Sequence, residues 1–229
     1  MRGSVPRVSG LIYVLCPLQI ERRVAARAAA GRARIITAGP GAESIAQAVR
    51  RLDPRPQDAL ILFGVAGGLI DTEPAPIISA VIDAQTGARS TPTLTASVDE
   101  SASCVSVVGV STPVTTVEEK RALAGRTGAA LVDCESHAFA QAATERGLEW
   151  AVVRGVSDGP LDTLPPRVAR WVDTRGRSRP IRIALDLARD PGSIADVARL
   201  GRSTRRALDA AAARLTRLLD ADPRTIPPS

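Results

Sequence analysis

Three carboxylates, Glu21, Glu135 and Asp158, occupy positions from which an α/β chain can bring acid and base groups together. Glu135 and Asp158 bracket one helix–strand unit in residues 131–160. There an acidic turn, Val132-Asp133-Cys134-Glu135-Ser136, opens an Ala-rich helix that ends at Gly147. The apolar run Trp150-Ala151-Val152-Val153 then leads into Arg154-Gly155-Val156-Ser157-Asp158-Gly159. This spacing can put both carboxylates at one edge of a sheet, where α/β proteins build their sites. Asp158, beside Ser157 at the C-terminal end of a strand, is a candidate general acid. Glu135 can accept paired hydrogen bonds from two neighbouring hydroxyls. Glu21 closes the loop after the first strand and is a candidate base for activating water. Each also has a simpler local reading. Ser-Asp-Gly-Pro is a good turn by itself, and Glu21 and Glu135 both suit the first turn of a helix.

Gly64-Val65-Ala66-Gly67-Gly68 follows an apolar run and allows close approach of backbone N–H groups to a ligand. It is not a phosphate-binding P-loop, because Leu69-Ile70 stands where Lys-Ser/Thr is required. His137 is the single histidine, but two residues past Glu135 on a helix it points elsewhere. Cys134 reads as a small buried hydrophobe. With Cys16 and Cys104 it makes an odd, widely spaced set, which fits neither a disulfide framework nor a zinc site and suits a reducing cytoplasm. Neither a metal nor a cofactor is expected.

The elements that must position these groups alternate along the chain. Strands are predicted at Leu11–Leu15, Arg34–Ala38, Ala59–Val65, Pro74–Ala84, Ala102–Val110 and Trp150–Val156. Helices are predicted from about Glu21 to Ala30, over Ala42–Leu52 and over Glu118–Gly125. A polar loop is expected around Ala88–Ser101. Alternation of this kind implies a mainly parallel sheet covered by helices. After Leu164-Pro165-Pro166, a short amphipathic segment at Ile183–Arg189 precedes a long helix capped by Ser193. Ile194, Val197, Ala198, Leu208, Ala211, Leu215 and Leu218 recur along it at helical intervals, and Gly201 marks a candidate break. The Pro-rich end, Asp222–Ser229, is expected to fray.

The chain has 229 residues, enough for one domain with a sizeable core. Aromatics make up only 2%, so that core must come from Ala, Val, Leu and Ile. No apolar run is long enough to span a bilayer, and the basic, briefly apolar N-terminus reads as a first strand rather than a leader peptide. The net charge of +6 is uneven: residues 1–164 carry 16 basic and 17 acidic side chains, whereas residues 165–217 carry 13 Arg against 5 Asp. Such a segment can contact nucleic acid or anionic lipid, although a solvated helix face is the simpler reading.

Taken in order, these motifs resemble the nucleoside phosphorylase/nucleosidase superfamily over roughly residues 10–160. Pro17–Glu21 is similar to its acidic first loop, and Thr37-Ala38-Gly39-Pro40-Gly41 to its Thr-Gly-x-Gly turn. Phe63–Leu69 is similar to its Gly-x-Ala-Gly-Gly-Leu segment, and Val132–Ser136 and Arg154–Asp158 to its two late motifs. The resemblance implies a three-layer α/β fold with a mixed, mainly parallel central sheet. It also implies cleavage of a nucleoside N-glycosidic bond without a cofactor. The implied roles are Glu21 for water, Glu135 for the ribose hydroxyls, and Asp158 supported by Ser157 for protonating the purine. Gly64, Val65, Ala66, Gly67, Val132, Asp133 and Cys134 would line the substrate site. Phosphorolytic members need Arg on the first loop; Glu21 there would repel phosphate, which favours hydrolysis. The chain departs from the family in having Cys134 where Met is common, and no aromatic in residues 111–131 to stack on the base.

The C-terminal part resembles, more narrowly, the hopanoid-associated phosphorylase (adenosylhopane nucleosidase) subfamily, through Leu164-Pro165-Pro166, Val172-Asp173, Gly176 and Leu187–Gly192. That implies a catalytic core at 1–164, a basic helical extension at 165–221 packed on the same domain, and a tail at 222–229. It further implies adenosylhopane as substrate, giving adenine and ribosylhopane in the cytoplasm, with residues 165–217 at an anionic membrane surface. A homodimer is expected and a nucleic-acid partner is not. The rival readings are a nucleosidase or phosphorylase of a soluble nucleoside such as methylthioadenosine, and an inactive nucleoside- or lipid-binding scaffold.

Overall fold

A computed structural model describes residues 10–94, 103–165, 168–180, 182, 185–186, 194–222 and 224. The strands are β1 (Ile12–Cys16), β2 (Arg34–Thr37), β3 (Ala59–Gly68), β4 (Ile77–Asp83), β5 (Arg89–Ser90), β6 (Cys104–Gly109), β7 (Leu131–Asp133) and β8 (Glu149–Asp158). The helices are α1 (Gln19–Ala29), α2 (Ala42–Leu52), α3 (Val117–Thr127), α4 (Ser136–Thr144) and α5 (Ile194–Ala221), with a 3-10 turn at Val168–Trp171. The strands form one eight-stranded sheet in the order β2-β1-β3-β7-β6-β4-β5, and β8 pairs with β3 outside that path. Pairing is parallel except for β3–β7 and β4–β5. The fold is thus a mixed, mainly parallel α/β sheet flanked by helices.

β3 is apolar on both faces because both are covered. Leu60 and Leu62 face α2 and α4 in a core with Ile45, Val49, Phe139 and Trp150. Ile61 and Phe63 face α1 and α5 in a second core with Ala25, Leu208, Leu215 and Leu219. Full burial of one such side chain stabilises by roughly 1.5–3 kcal/mol. The few aromatics are spent here: Phe139 and Trp150 meet edge-to-face at 6.1 Å.

One reading of the C-terminal helix needs correction. α5 runs unbroken through Gly201, because a lone glycine costs a helix only about 1 kcal/mol. Its apolar stripe is only half used: Ala207, Leu208, Ala211, Leu215, Leu218 and Leu219 are buried, whereas Ile194 is 53% exposed and Ala198 is exposed. The backbone of Ala207 lies so close to Gly155 of β8 that a Cβ there would collide with it. The proposed cap Ser193, most of Ile183–Arg189, residues 95–101 of the expected Ala88–Ser101 loop and most of the 222–229 tail lie outside the described residues.

Candidate active site

The C-terminal ends of β1, β3, β7 and β8 surround a cavity of about 230 Å³. Glu21, Val65, Ala66, Gly67, Val132, Asp133, Cys134, Glu135, Ser157 and Asp158 all line it. Gly64 does not. It lies directly opposite Arg154 in the β3–β8 register, and a Cβ there would collide with Glu21 Oε1 and Arg154 Nη1. Its service is to give room to two side chains rather than to offer a backbone N–H to a ligand. Gly67 does the same for Asp158, whose Oδ2 would stand 3.1 Å from a Cβ at that position.

Glu21 sits in the first turn of α1, buried, with both oxygens held by backbone N–H groups. Leu18 N donates to Oε2 at 2.8 Å and Val65 N to Oε1 at 3.1 Å. Burial pushes its pKa up to about 7, helped by the negative charge of Glu135 and opposed by Arg154 and the two N–H donors. Such a carboxylate is poised to accept a proton near neutral pH.

Glu135 occupies the N-cap of α4, but its side chain makes no cap hydrogen bond. Asp133 takes that work: its Oδ1 accepts from Glu135 N at 3.2 Å and Ser136 N at 2.9 Å, and Ser136 Oγ donates to Oδ2. Freed from the helix end, Glu135 accepts from Gly41 N at 2.9 Å and Arg154 Nη2 at 3.2 Å. Burial also raises its pKa, as does the nearby Asp133 charge, against the pull of Arg154. The left-handed φ of 88° at Gly41 favours glycine at this N–H.

Arg154 was visible in the sequence only as part of a motif, without a role. It is fully buried, with Nε 2.7 Å and Nη2 2.6 Å from Asp133 Oδ2. Nη1 has no hydrogen-bond partner among the described residues. One cation therefore answers three carboxylates, Glu21, Asp133 and Glu135. Asp133 lies behind the substrate-facing groups, since Arg154 and the start of α4 engage both its oxygens.

Across the cavity, Ser157 and Asp158 both face inward although consecutive strand residues alternate. The register between β3 and β8 skips at this point: Ala66 pairs with Val156, and Gly67 with Asp158. A bulge of this kind re-aims side chains. Ser157 Oγ lies 2.7 Å from Asp158 Oδ1 and 3.2 Å from Ala66 O. Its single hydrogen can serve either acceptor, so the hydroxyl can keep contact with Asp158 in both protonation states. Lys120, the chain's only lysine, reaches Asp158 Oδ2 at 2.5 Å from α3. Sequence reasoning missed that pair; a lone lysine in an Arg-rich chain was the available signal.

Of the remaining candidates, Cys134 lines the cavity with its thiol pKa pushed up to about 12 by burial and the flanking carboxylates. Only the protonated, uncharged thiol is present at neutral pH. His137 lies outside the cavity, packed against Gly109 in an adjoining cavity of about 560 Å³. The described lining is otherwise aliphatic, with Val110, Pro113, Val114 and Leu164 and no aromatic ring.

Residues 85–189 match the model of the Phosphorylase superfamily. No curated protein matches the chain in sequence. Among solved structures it is similar to the Streptococcus pneumoniae MTA/SAH nucleosidase in complex with 8-aminoadenine. That pair is 16% identical, with 93% of this chain and 100% of the other covered and a TM-score of 0.66. A Helicobacter pylori 5′-methylthioadenosine/S-adenosyl homocysteine nucleosidase is 10% identical, covering 93% and 98% with a TM-score of 0.64. The Helicobacter pylori futalosine hydrolase gives 11% identity, the same coverage and a TM-score of 0.64. The chain therefore has the fold of the nucleoside phosphorylase/nucleosidase class.

Proposed function

We propose that this protein is a hydrolytic nucleosidase that cleaves the N-glycosidic bond of an adenosyl substrate. The observation that carries the reading is the convergence of Glu21, Glu135 and Asp158 on one cavity, each in a different electrostatic setting. Glu135 accepts hydrogen bonds from the ribose 2′- and 3′-hydroxyls. Asp158, backed by Ser157, gives a proton to the purine as the C1′–N9 bond breaks. Glu21, which lines the cavity, takes a proton from the attacking water. Three buried carboxylates on this side of the cavity would repel phosphate, which favours water as the nucleophile. The protein needs neither cofactor nor metal for these steps. Incubation with adenosyl nucleosides, with and without phosphate, tests the reading. Adenine release independent of phosphate supports it; no release from any adenosyl substrate in either condition removes it.

For the substrate, the aliphatic lining suits adenosylhopane, whose lipid chain would pass Pro113, Val114 and Leu164. The first turns of α5 present Arg199, Arg202, Arg205 and Arg206 to solvent beside Ile194, which suits peripheral attachment to an anionic membrane in the cytoplasm. No helix among the described residues is long and apolar enough to cross a membrane. Because α5 also supplies core residues, the membrane test is replacement of those four arginines by Ser rather than truncation. Liposome co-sedimentation unchanged by the replacement would remove the membrane reading. A soluble nucleoside is the second reading. The adjoining cavity shares Val110, Pro113 and Val114 with the site and is lined by Asp83, Glu119, Arg126 and His137, a polar setting for a zwitterionic substituent. A homodimer, the expected assembly, is checked by sedimentation velocity.

A further inference from the structure

The buried Lys120–Asp158 pair is not explained by folding alone. Lys120 lies in the first turn of α3, whose start is fixed by a reciprocal cap. Thr116 Oγ1 accepts from Glu119 N at 3.2 Å, and Glu119 Oε2 accepts from Thr116 N at 3.0 Å. The side chain is buried, and its ammonium group has three acceptors for three hydrogens. These are Asp158 Oδ2 at 2.5 Å, Gly159 O at 2.7 Å and Asp162 O at 2.9 Å. Burying an ammonium group costs several kcal/mol, so an apolar residue would serve packing here at least as well. The charge is instead delivered to one oxygen of the carboxylate that faces the cavity.

We propose that Lys120 is a positioning residue for leaving-group departure, acting through Asp158. The inference rests on the assignment of Asp158 as the acid. In the step, the Asp158 O–H bond breaks, its proton goes to the departing purine, and the electron pair of the C1′–N9 bond leaves with the base. Negative charge then develops on Asp158, and the Lys120 ammonium is already in place beside Oδ2 to stabilise it. The attacking water gives its proton to Glu21, and one proton passing through solvent from Glu21 to Asp158 resets the site. An interaction that strengthens as charge develops lowers the barrier without tightening substrate binding. The contacts to Gly159 and Asp162 also fix the 159–162 turn that follows Asp158.

The test compares two leaving groups. An adenosyl nucleoside needs protonation to depart, whereas p-nitrophenyl riboside releases a stable anion. Lys120→Met is expected to lower kcat on the adenosyl nucleoside by about 100-fold, leave KM within about 3-fold, and slow the p-nitrophenyl substrate far less. In the double variant with Asp158→Asn, the loss should equal that of Asp158→Asn alone. Equal slowing of both substrates, or additive losses, would overturn the proposal in favour of a purely structural role. If Lys120→Met does not fold, Lys120→Arg decides on the same ratio. A guanidinium cannot satisfy the same three acceptors, so a leaving-group bias supports the proposal and uniform slowing overturns it. Wild-type protein that frees no base from either substrate would sink the nucleosidase reading itself, a distinct outcome.

Discussion

The two sides of the cavity solve the burial of charge in opposite ways. At the β1–β7 side one guanidinium faces Glu21, Asp133 and Glu135, and burial, with the neighbouring negative charge, raises the proton affinity of Glu21 and Glu135. At the β8–α3 side one ammonium meets one carboxylate, with a hydroxyl on the other oxygen. The first arrangement yields, in Glu21, a group that can exchange a proton with water near neutral pH. The second yields an acid whose charge, once its proton has gone, meets an ammonium already in place. A base and a group that must end its step as an anion need those two environments.

Removing the matched side's carboxylate is expected to have the largest effect on turnover. Asp158→Asn keeps the shape and a partner for Lys120, yet loses the acid. Adenine release should fall by about 10³–10⁴-fold with the circular dichroism spectrum unchanged. A rate near wild type would place the acid elsewhere. On the crowded side, Arg154→Met leaves three carboxylates without their cation. It should cost about 3–5 kcal/mol of stability by urea titration, more than any single exposed arginine. A loss below about 1 kcal/mol, the range of exposed ion pairs, would mean that the carboxylates are not held charged by Arg154.

Glu21 offers a pH signature that separates the two sides. Its folded pKa of about 7 lies above the ordinary 4.5, so folding favours its protonated form. Below pH 4.5 both states carry the proton and no penalty exists. As pH rises from 4.5 to 7 the unfolded chain ionises first, and the folded state loses about 3 kcal/mol relative to it. Glu21→Gln should therefore gain stability over wild type above pH 7, and this gain should shrink at pH 5. Because the base must be ionised, kcat/KM of the wild type should fall as pH drops through about 7. A profile flat from pH 5 to 8 would exclude Glu21 as the base.

Six of the eight strands were legible as apolar runs, and the predicted Ala42–Leu52 matches α2 residue for residue, but β5 fell in the expected polar loop and β7 in the stretch read as an acidic turn. The three carboxylates were legible by type and spacing, but their partners were not. Arg154 shares a strand with apolar neighbours, and nothing in sequence says that it turns toward Asp133, 21 residues away. Lys120 lies 38 residues from Asp158 on another element. The skip at Ser157 depends on how β8 pairs with β3, a tertiary fact that local propensity does not encode. The exposure of the first half of α5 was not legible for a related reason: periodicity shows that a helix has an apolar stripe, not how much of it is covered.

Glycine replacements give the finest comparison of the two sides, since each adds one methyl group against one cluster. At Gly64 a Cβ would collide with both Glu21 Oε1 and Arg154 Nη1, neither of which is free to withdraw. Gly64→Ala should therefore cost about 1–3 kcal/mol and lower Glu21's service as base. At Gly67 the nearest atoms are Asp158 Oδ2 at 3.1 Å and Val132 Cγ1 at 3.3 Å, so a shift of a few tenths of an ångström suffices. Stability should change by less than about 1 kcal/mol. That shift moves Asp158 with respect to Lys120, and turnover of adenosyl nucleosides should drop by about 10-fold while p-nitrophenyl riboside is nearly spared. If instead Gly67→Ala slows both substrates alike, the displaced atom matters to substrate binding rather than to proton delivery. The division of labour between the two sides would then have to be redrawn.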